Sequence, residues 1–460
     1  MVFQLPGVKF DLDLIKKYDT PTPRYTSYPP ATELTEAFTH EDFGNAIARS
    51  NHRQTPLSLY FHIPFCQTAC YFCGCNVVVS NNKNIAIPYV ENLVRDIEQT
   101  AKLIDSQRRI VQIHWGGGTP NYLSTEQAGR IWKNITRNFN IDPNAEVSIE
   151  INPRYINKDY IFFLRELGFN RISFGLQDFD PQVQAAVNRI QPEEMLFEVM
   201  SWIKEAEFAS VNVDLIYGLP YQTFSSFQKT IQKTIQLDPD RIAVFNFAYV
   251  PWVKPTQKNI REDALPVPQE KLEILQMTIE ELTHSKYIFI GMDHFAKPQD
   301  ELAVAQCDGT LKRNFQGYTT HGQAELLGFG ATSVSMLEDA YAQNHKQLKD
   351  YYAAIQTGIL ATSKGYKLSF DDMLRRDVVM GIMSGTGVDK LEIEAKYRIN
   401  FNEYFALEIE NLQLLEADGL VNLSSQYISI TEIGRLLVRN IAVIFDAHQA
   451  TRQRKLSRAI

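Results

Sequence analysis

Between residues 57 and 251 the chain alternates short apolar runs with segments of helical pattern, and this alternation limits the fold more than any other feature. The runs LSLYFHI, IVQIHWG, EVSIEIN, RISFGLQ, SVNVDLIYG and RIAVFNFAY are rich in Val, Ile, Phe and Tyr, as buried parallel strands are. Between them lie helical patterns such as YVENLVRDIEQTAKLI, STEQAGRIWKNIT and SSFQKTIQKTIQL. Repeated βα units predict a parallel sheet with right-handed crossovers. Six strands are too few to close the usual eight-stranded barrel, so an α/β fold with a partial, laterally open (βα)6 TIM-like barrel is expected. Catalytic groups of such a barrel collect at the C-terminal ends of its strands.

The ends of the chain differ in kind. Residues 1–50 contain PTPRYTSYPP, where prolines disfavour helix and hold the preceding residues extended, so an ordered arm or flap is expected. Residues 51–364 carry the barrel and its extension. Residues 365–460 are expected to form a mainly helical domain, in which EADGLVNLSSQYISITEIGRLLVRNIAVIF reads as a hairpin followed by a helix, a winged-helix-like arrangement. That segment lacks a basic face and the chain carries a net charge of −8, so nucleic-acid binding is not expected and a lid or packing role fits better. With 44% hydrophobic residues in 460, the chain can bury a sizeable core. No apolar run reaches the ~18 residues of a membrane span. The absence of an N-terminal apolar h-region, with free-looking thiols, predicts a reducing cytoplasm, and nothing such as a heptad run demands more than a monomer.

Four of the five cysteines, Cys66, Cys70, Cys73 and Cys75, fall in PFCQTACYFCGC, directly after the first apolar run. Thiolates crowded on one loop converge on a soft metal centre, either zinc or an iron–sulfur cluster. A single CxxxCxxC run with no later Cys/His pair to answer it favours iron, while zinc closed by Cys75 as a fourth ligand is the alternative reading. A disulfide framework suits neither the odd count nor the spacing. Three thiolates on a cubane leave one iron open to a small molecule.

The polar residues of the strand ends are the next candidates. Tyr60 and His62 lie on the first strand, Gly116, Gly117, Gly118 and Thr119 follow the second, Glu150 ends the third, Gln177 ends the fourth, Asp214 lies on the fifth and Ala248 ends the sixth. The glycines allow close backbone approach, and a carboxylate at a barrel rim is placed to hold a ribose hydroxyl or an ammonium. Arg189 and Asp214 suit a carboxylate and a cationic amino group respectively, or else form a structural salt bridge. His62 reads as a satisfied strand histidine or a group supporting the site from behind, rather than an acid/base catalyst.

The CxxxCxxC loop after a strand, with Phe72 before its third cysteine, resembles that of the radical S-adenosylmethionine enzymes. CxxxCxxCxC together with PRYTSYPP, YFHIPFC, HWGGGTP, SIEINP, FNRISFGLQDF, VNRIQ, VDLIYGLPYQT, IGMDHFA and RNFQGYTTH, in that order, is similar to the oxygen-independent coproporphyrinogen III oxidase family. The resemblance implies one 4Fe–4S cluster on Cys66, Cys70 and Cys73 and two S-adenosylmethionine molecules. Tyr60, Phe72, Gly117 and Glu150 match residues around the first; Gly118, Thr119, Gln177, Arg189, Asp214 and Ala248 match those around the second; Val334 is a further contact where a related chain carries Ile. Cys75 is implied to be a non-ligand thiol that still matters for activity.

The activity implied is decarboxylation of two propionates of coproporphyrinogen III to vinyl groups by a 5′-deoxyadenosyl radical, giving protoporphyrinogen IX in haem biosynthesis. An electron donor and a terminal acceptor are required, and the sequence identifies neither. Four propionates need cations, and Arg24, with Tyr25 and Tyr28 beside it, is the candidate on the arm. A related haem-trafficking protein or methyltransferase is the alternative, but the arm and Cys75 favour the oxidase.

Overall fold

The computed structural model describes residues 7–449. They group into two compact units that interleave along the chain: residues 34–281 with 323–367, and residues 7–33 with 282–322 and 368–449. The contiguous division into 1–50, 51–364 and 365–460 follows chain order, whereas compactness joins residues 7–33 to residues 368–449.

In the first unit, β1 (Leu57–Ile63), β2 (Arg109–Gly117), β3 (Asn140–Ile151), β4 (Arg171–Gln177), β5 (Ser210–Tyr217) and β6 (Arg241–Asn246) pair parallel in sequence order. Helices Ala86–Ala101, Thr125–Asn138, Lys158–Leu167, Glu193–Glu205 and Phe224–Leu237 lie in the connections, as the alternation of periods predicts. Two of them start on capping boxes, Ser124 with Gln127 and Thr223 with Ser226, which satisfy otherwise orphan N–H groups. β3 begins six residues before the EVSIEIN run. Asn140 and Ile141 already pair with Arg109 and Ile110, and a register shift between Ile110 and Gln112 absorbs the Asp-Pro-Asn break at 142–144 that hides the strand in the sequence.

A seventh parallel strand, β7 (Glu325–Phe329), joins the free side of β1, followed antiparallel by β8 (Val334–Met336), β9 (Ala340–Asn344) and β10 (Thr362–Lys367). No βα period announces β7, because nearly eighty residues separate it from β6 and many of them belong to the other unit.

The strand period of two sorts side chains onto two faces. Phe61 stacks on Phe329 at 4.9 Å and sits 6.1 Å from Trp115, which meets Phe169 edge-on at 5.2 Å, in a buried apolar layer. The alternate positions Tyr60, His62, His114, Ser148, Glu150, Ser173 and Asp214 carry polar groups. A sheet that spends one face on polar residues does so for chemistry rather than for packing. Near the start of β7, Glu325 receives hydrogen bonds from Arg108 at 2.7 Å, Arg53 at 3.0 Å and the Glu338 amide at 2.8 Å. Arg108 is fully buried there.

In the second unit, Val388–Asp389, Val421–Leu423 and Tyr427–Ile430 form a three-stranded antiparallel sheet with helices Phe370–Met383, Lys390–Tyr397 and Ala406–Ala417. The expected hairpin and its following helical turns are present, at Val421–Ile430 and from Gly434 to Phe445. PTPRYTSYPP is non-helical, as its prolines dictate. Among the described residues no helix is long and apolar enough to cross a membrane.

Candidate functional site

β1 delivers the chain directly into the cysteine loop, and the ends of β2 to β5 surround it. Together they enclose a cavity of about 360 Å³ lined by Cys66, Cys70, Phe72, Cys73, Cys75, Gly117, Gly118, Thr119, Glu150, Gln177, Arg189 and Asp214. That volume is within the ~300–1,000 Å³ of small-molecule sites. All four thiols are free, and among the described residues no three His, Cys, Asp or Glu side chains are drawn together as ligands of one ion.

Three of the thiols have different donors. Cys66 Sγ lies 3.4 Å from Thr119 Oγ1, and burial pushes its thiol up to about 11. Cys70 Sγ accepts from Arg154 and from Arg189, each at 3.6 Å. Cys73 Sγ accepts from the Cys75 amide at 3.4 Å, and a hydrogen bond shared between the two thiols holds Cys73 low and Cys75 high.

Two carboxylates face the cavity in opposite electrostatic settings. Glu150 sits inside the barrel, which works against ionisation, but His114 Nε2 at 3.4 Å and the Gly117 amide at 3.1 Å outweigh this and bring it below its ordinary value. His114 is itself fixed by Ser148 Oγ at 2.6 Å from its Nδ1 and by stacking on Tyr60. Burial, and then the charge of Glu150, raise Asp214 to about 7, although Asn212 donates to it at 2.8 Å. Gln177, at φ 72°, closes β4 with its Oε1 buried and without a hydrogen-bond partner. Arg189 is buried and tied to Gly175 O at 2.8 Å and Gln191 Oε1 at 2.9 Å.

The glycine turn serves close packing. Gly117 has φ 112°, and a Cβ there would come within 2.5 Å of the His62 ring; one on Gly118 would meet the Pro64 backbone at 2.8 Å. The Gly118 amide donates to Ile63 O at 2.8 Å, so the turn lies flat against the base of the cysteine loop.

Other candidates lie off the cavity wall. The Tyr60 hydroxyl is 3.1 Å from His62 Nδ1, beneath the site. Val334 is buried on β8; its carbonyl packs against Gly328, the register partner of Tyr60. Ala248 lies two residues past the end of β6. Arg24, Tyr25 and Tyr28 belong to the second unit, where Arg24 pairs with Asp293, Tyr25 donates to Asp446 at 2.7 Å and the Tyr28 oxygen accepts from the Ala447 amide at 3.0 Å. Both tyrosines are buried in that unit's core.

Sequence reasoning missed three residues. Gln257, 2% exposed, accepts from the Val250 amide at 2.6 Å and donates to Ala248 O at 3.2 Å and Phe72 O at 3.3 Å, bracing the cysteine loop against the segment after β6. Lys254 reaches Cys75 O at 3.3 Å. Arg154, four residues after Glu150, reaches the loop at Thr68 and Cys70. None belongs to a motif; only Arg154's place just past a strand end was a usable signal.

The Radical SAM superfamily model matches residues 60–234, and the HemN C-terminal domain model matches residues 368–437. The oxygen-independent coproporphyrinogen III oxidase of Synechocystis sp. is 56% identical over the whole of both chains. Its Escherichia coli counterpart is 47% identical, covering 98% of this chain and 99% of its own. The solved structure of coproporphyrinogen III oxidase (HemN) from Escherichia coli, a radical SAM enzyme, superposes with a TM-score of 0.92 at 46% identity, over 96% of this chain and 100% of that one.

Proposed function

The chain belongs to the oxygen-independent coproporphyrinogen III oxidase family of radical S-adenosylmethionine enzymes, and on that premise we propose how its residues serve the reaction. It is an oxidoreductase that decarboxylates two propionates of coproporphyrinogen III to vinyl groups, yielding protoporphyrinogen IX. The family implies a 4Fe–4S cluster and S-adenosylmethionine. The residues present suit both. Cys66, Cys70 and Cys73 line one cavity as free thiols, each with a donor to its sulfur, and a cluster is wider than a single ion and takes thiols spread along a loop. The unpartnered Gln177 Oε1 is an acceptor for a ligand hydroxyl or amine. When bound, the cluster and S-adenosylmethionine supply the one-electron chemistry that removes a hydrogen atom from a propionate β-carbon.

The chain's own residues bind and orient. Cys66, Cys70 and Cys73 hold the cluster, and Cys75 is an accessory thiol on the same loop. Glu150, kept ionised by His114 and Gly117, accepts from the ammonium or ribose of a first S-adenosylmethionine, with Tyr60, Phe72 and Gly117 around it. A second molecule is held by Gly118, Thr119, Gln177, Arg189, Asp214 and Ala248, with Val334 as a further contact; the Asp214 carboxylate and the Arg189 fork supply the complementary charges. Arg24 holds a substrate propionate. The protein works as a cytoplasmic monomer with an external electron donor and acceptor.

The observation that carries this reading is the convergence of four thiols, two carboxylates and a buried arginine on one cavity. The test is an anaerobic assay of the reconstituted chain with coproporphyrinogen III, S-adenosylmethionine, a reductant and a cell extract as acceptor. Protoporphyrinogen IX and 5′-deoxyadenosine should form together, and a Cys70→Ser control should form neither. 5′-Deoxyadenosine without the decarboxylated product would overturn the substrate; neither product despite full iron and sulfide would overturn the activity.

A further inference from the structure

Arg154 stands on the turn Pro153–Tyr155 that leaves β3. Its guanidinium is committed on every nitrogen: Nε donates to Asn152 Oδ1 at 3.3 Å, Nη1 to Asn188 O at 3.4 Å, and Nη2 to Thr68 Oγ1 at 3.1 Å and Cys70 Sγ at 3.6 Å. With Arg189 also donating to Cys70 at 3.6 Å, this one sulfur receives two cationic donors. The hydrogen-bond partner of Cys66 is a neutral hydroxyl, and those of Cys73 are a backbone amide and the Cys75 thiol.

Behind Arg154 lies a second, outward groove of about 610 Å³, lined by Arg154 and Tyr155 with Asn121, Tyr122 and Tyr160. The Tyr155 hydroxyl is 3.0 Å from Thr68 Oγ1, so Arg154 and Tyr155 form the partition between that groove and the cysteine loop.

We propose that Arg154 is a positioning residue that sets the reduction potential of the cluster, by fixing a positive charge and a hydrogen bond on the Cys70 sulfur. Reduction adds negative charge to the cluster, and a fixed cation in a low-dielectric wall favours the reduced state. Hydrogen bonds to ligand sulfurs act in the same direction, and a side chain held by three other contacts cannot swing away to compensate. Arg189 lines the ligand cavity itself, whereas Arg154 is absent from its lining and reaches Cys70 from the side of the outer groove. The inference rests on the cluster reading above.

The test is a redox titration of the anaerobically reconstituted full chain, monitored by electron paramagnetic resonance without substrate, alongside iron and sulfide content. Arg154→Gln should retain its iron, yet at fixed poise the ratio of reduced to oxidised cluster should fall about tenfold, a shift of ~59 mV for a one-electron couple. Arg154→Lys keeps the charge and should recover most of that loss. Should Arg154→Gln fail to load iron, Thr68→Val, which removes one anchor of the fork without changing charge, should shift the midpoint in the same direction by a smaller amount. An unchanged midpoint in a fully loaded Arg154→Gln, or in Thr68→Val, or an equal shift in Gln and Lys variants, overturns the role. A wild-type chain that takes up no cluster overturns the cluster reading instead.

Discussion

Gly118 illustrates how little room the site leaves at the scale of one residue. Its added Cβ would meet backbone atoms of Pro64 and Phe65, which cannot rotate aside. Gly118→Ala should therefore displace the cysteine loop and retain less than about half the wild-type iron, with the far-ultraviolet circular dichroism unchanged; full iron would show that the loop can move without loss. Asp214 carries a pH dependence. Raised to about 7, it is protonated below that pH and ionised above it, so a cationic ligand beside it should bind about tenfold more tightly at pH 8 than at pH 6. Equilibrium dialysis of S-adenosylmethionine beyond the first equivalent should show this slope, and Asp214→Asn should flatten it. In stability the sign is reversed: the native state keeps a proton the unfolded chain has lost, so Asp214 costs stability as pH rises from about 4 to about 7. The cysteines, Glu150 and Asp214 were legible in the sequence because spacing and strand position mark them. Gln257 was not, and Arg154 was marked only by its place past a strand end, because their value lies in hydrogen bonds between segments distant in the chain.

At the scale of elements, the strand runs read almost residue for residue, and RISFGLQ and LSLYFHI coincide with β4 and β1. The runs were readable because a strand buried on both faces must be apolar or chemically purposeful along its length. β7 escaped because five residues without a following crossover carry no period. Its first residue shows what the pairing depends on. Although burial opposes ionisation, hydrogen bonds from Ser50, the Glu338 amide, Arg53 and Arg108 hold Glu325 down at about 2. Relative to an ordinary value of ~4.3, this depression of about two units is worth ~3 kcal/mol. The stabilisation is complete above the unfolded value and is lost as pH falls through about 2. Glu325→Gln leaves Arg108 buried without its counter-charge and should cost ~3–5 kcal/mol at pH 7 by urea unfolding. The gap between variant and wild type should narrow by pH 3; a gap independent of pH would mean that packing, not charge, is lost.

For the whole molecule, the interleaving of the two units matters most. The arm residues Tyr25 and Tyr28 bury in the same core as Phe405 and Phe445, so residues 7–33 belong structurally with residues 368–449. Arg24 stands beside them with 41% of its side chain exposed and Asp293 as its partner. Arg24→Ala should raise the KM for coproporphyrinogen III at least tenfold with kcat within a factor of two and the melting temperature nearly unchanged; an unaltered KM would assign Arg24 to its ion pair alone. The sequence by itself determined the βα order, the winged-helix-like end, and the loop and strand ends that carry the chemistry, because period, turn chemistry and ligand spacing are properties of neighbours along the chain. Only the tertiary structure decided that residues 7–33 and 368–449 share a core, that β7 stands beside β1, and that Arg154, Arg189 and Gln257 brace one short loop. Those are contacts across long loops, where burial and hydrogen-bond satisfaction select partners that no local pattern encodes.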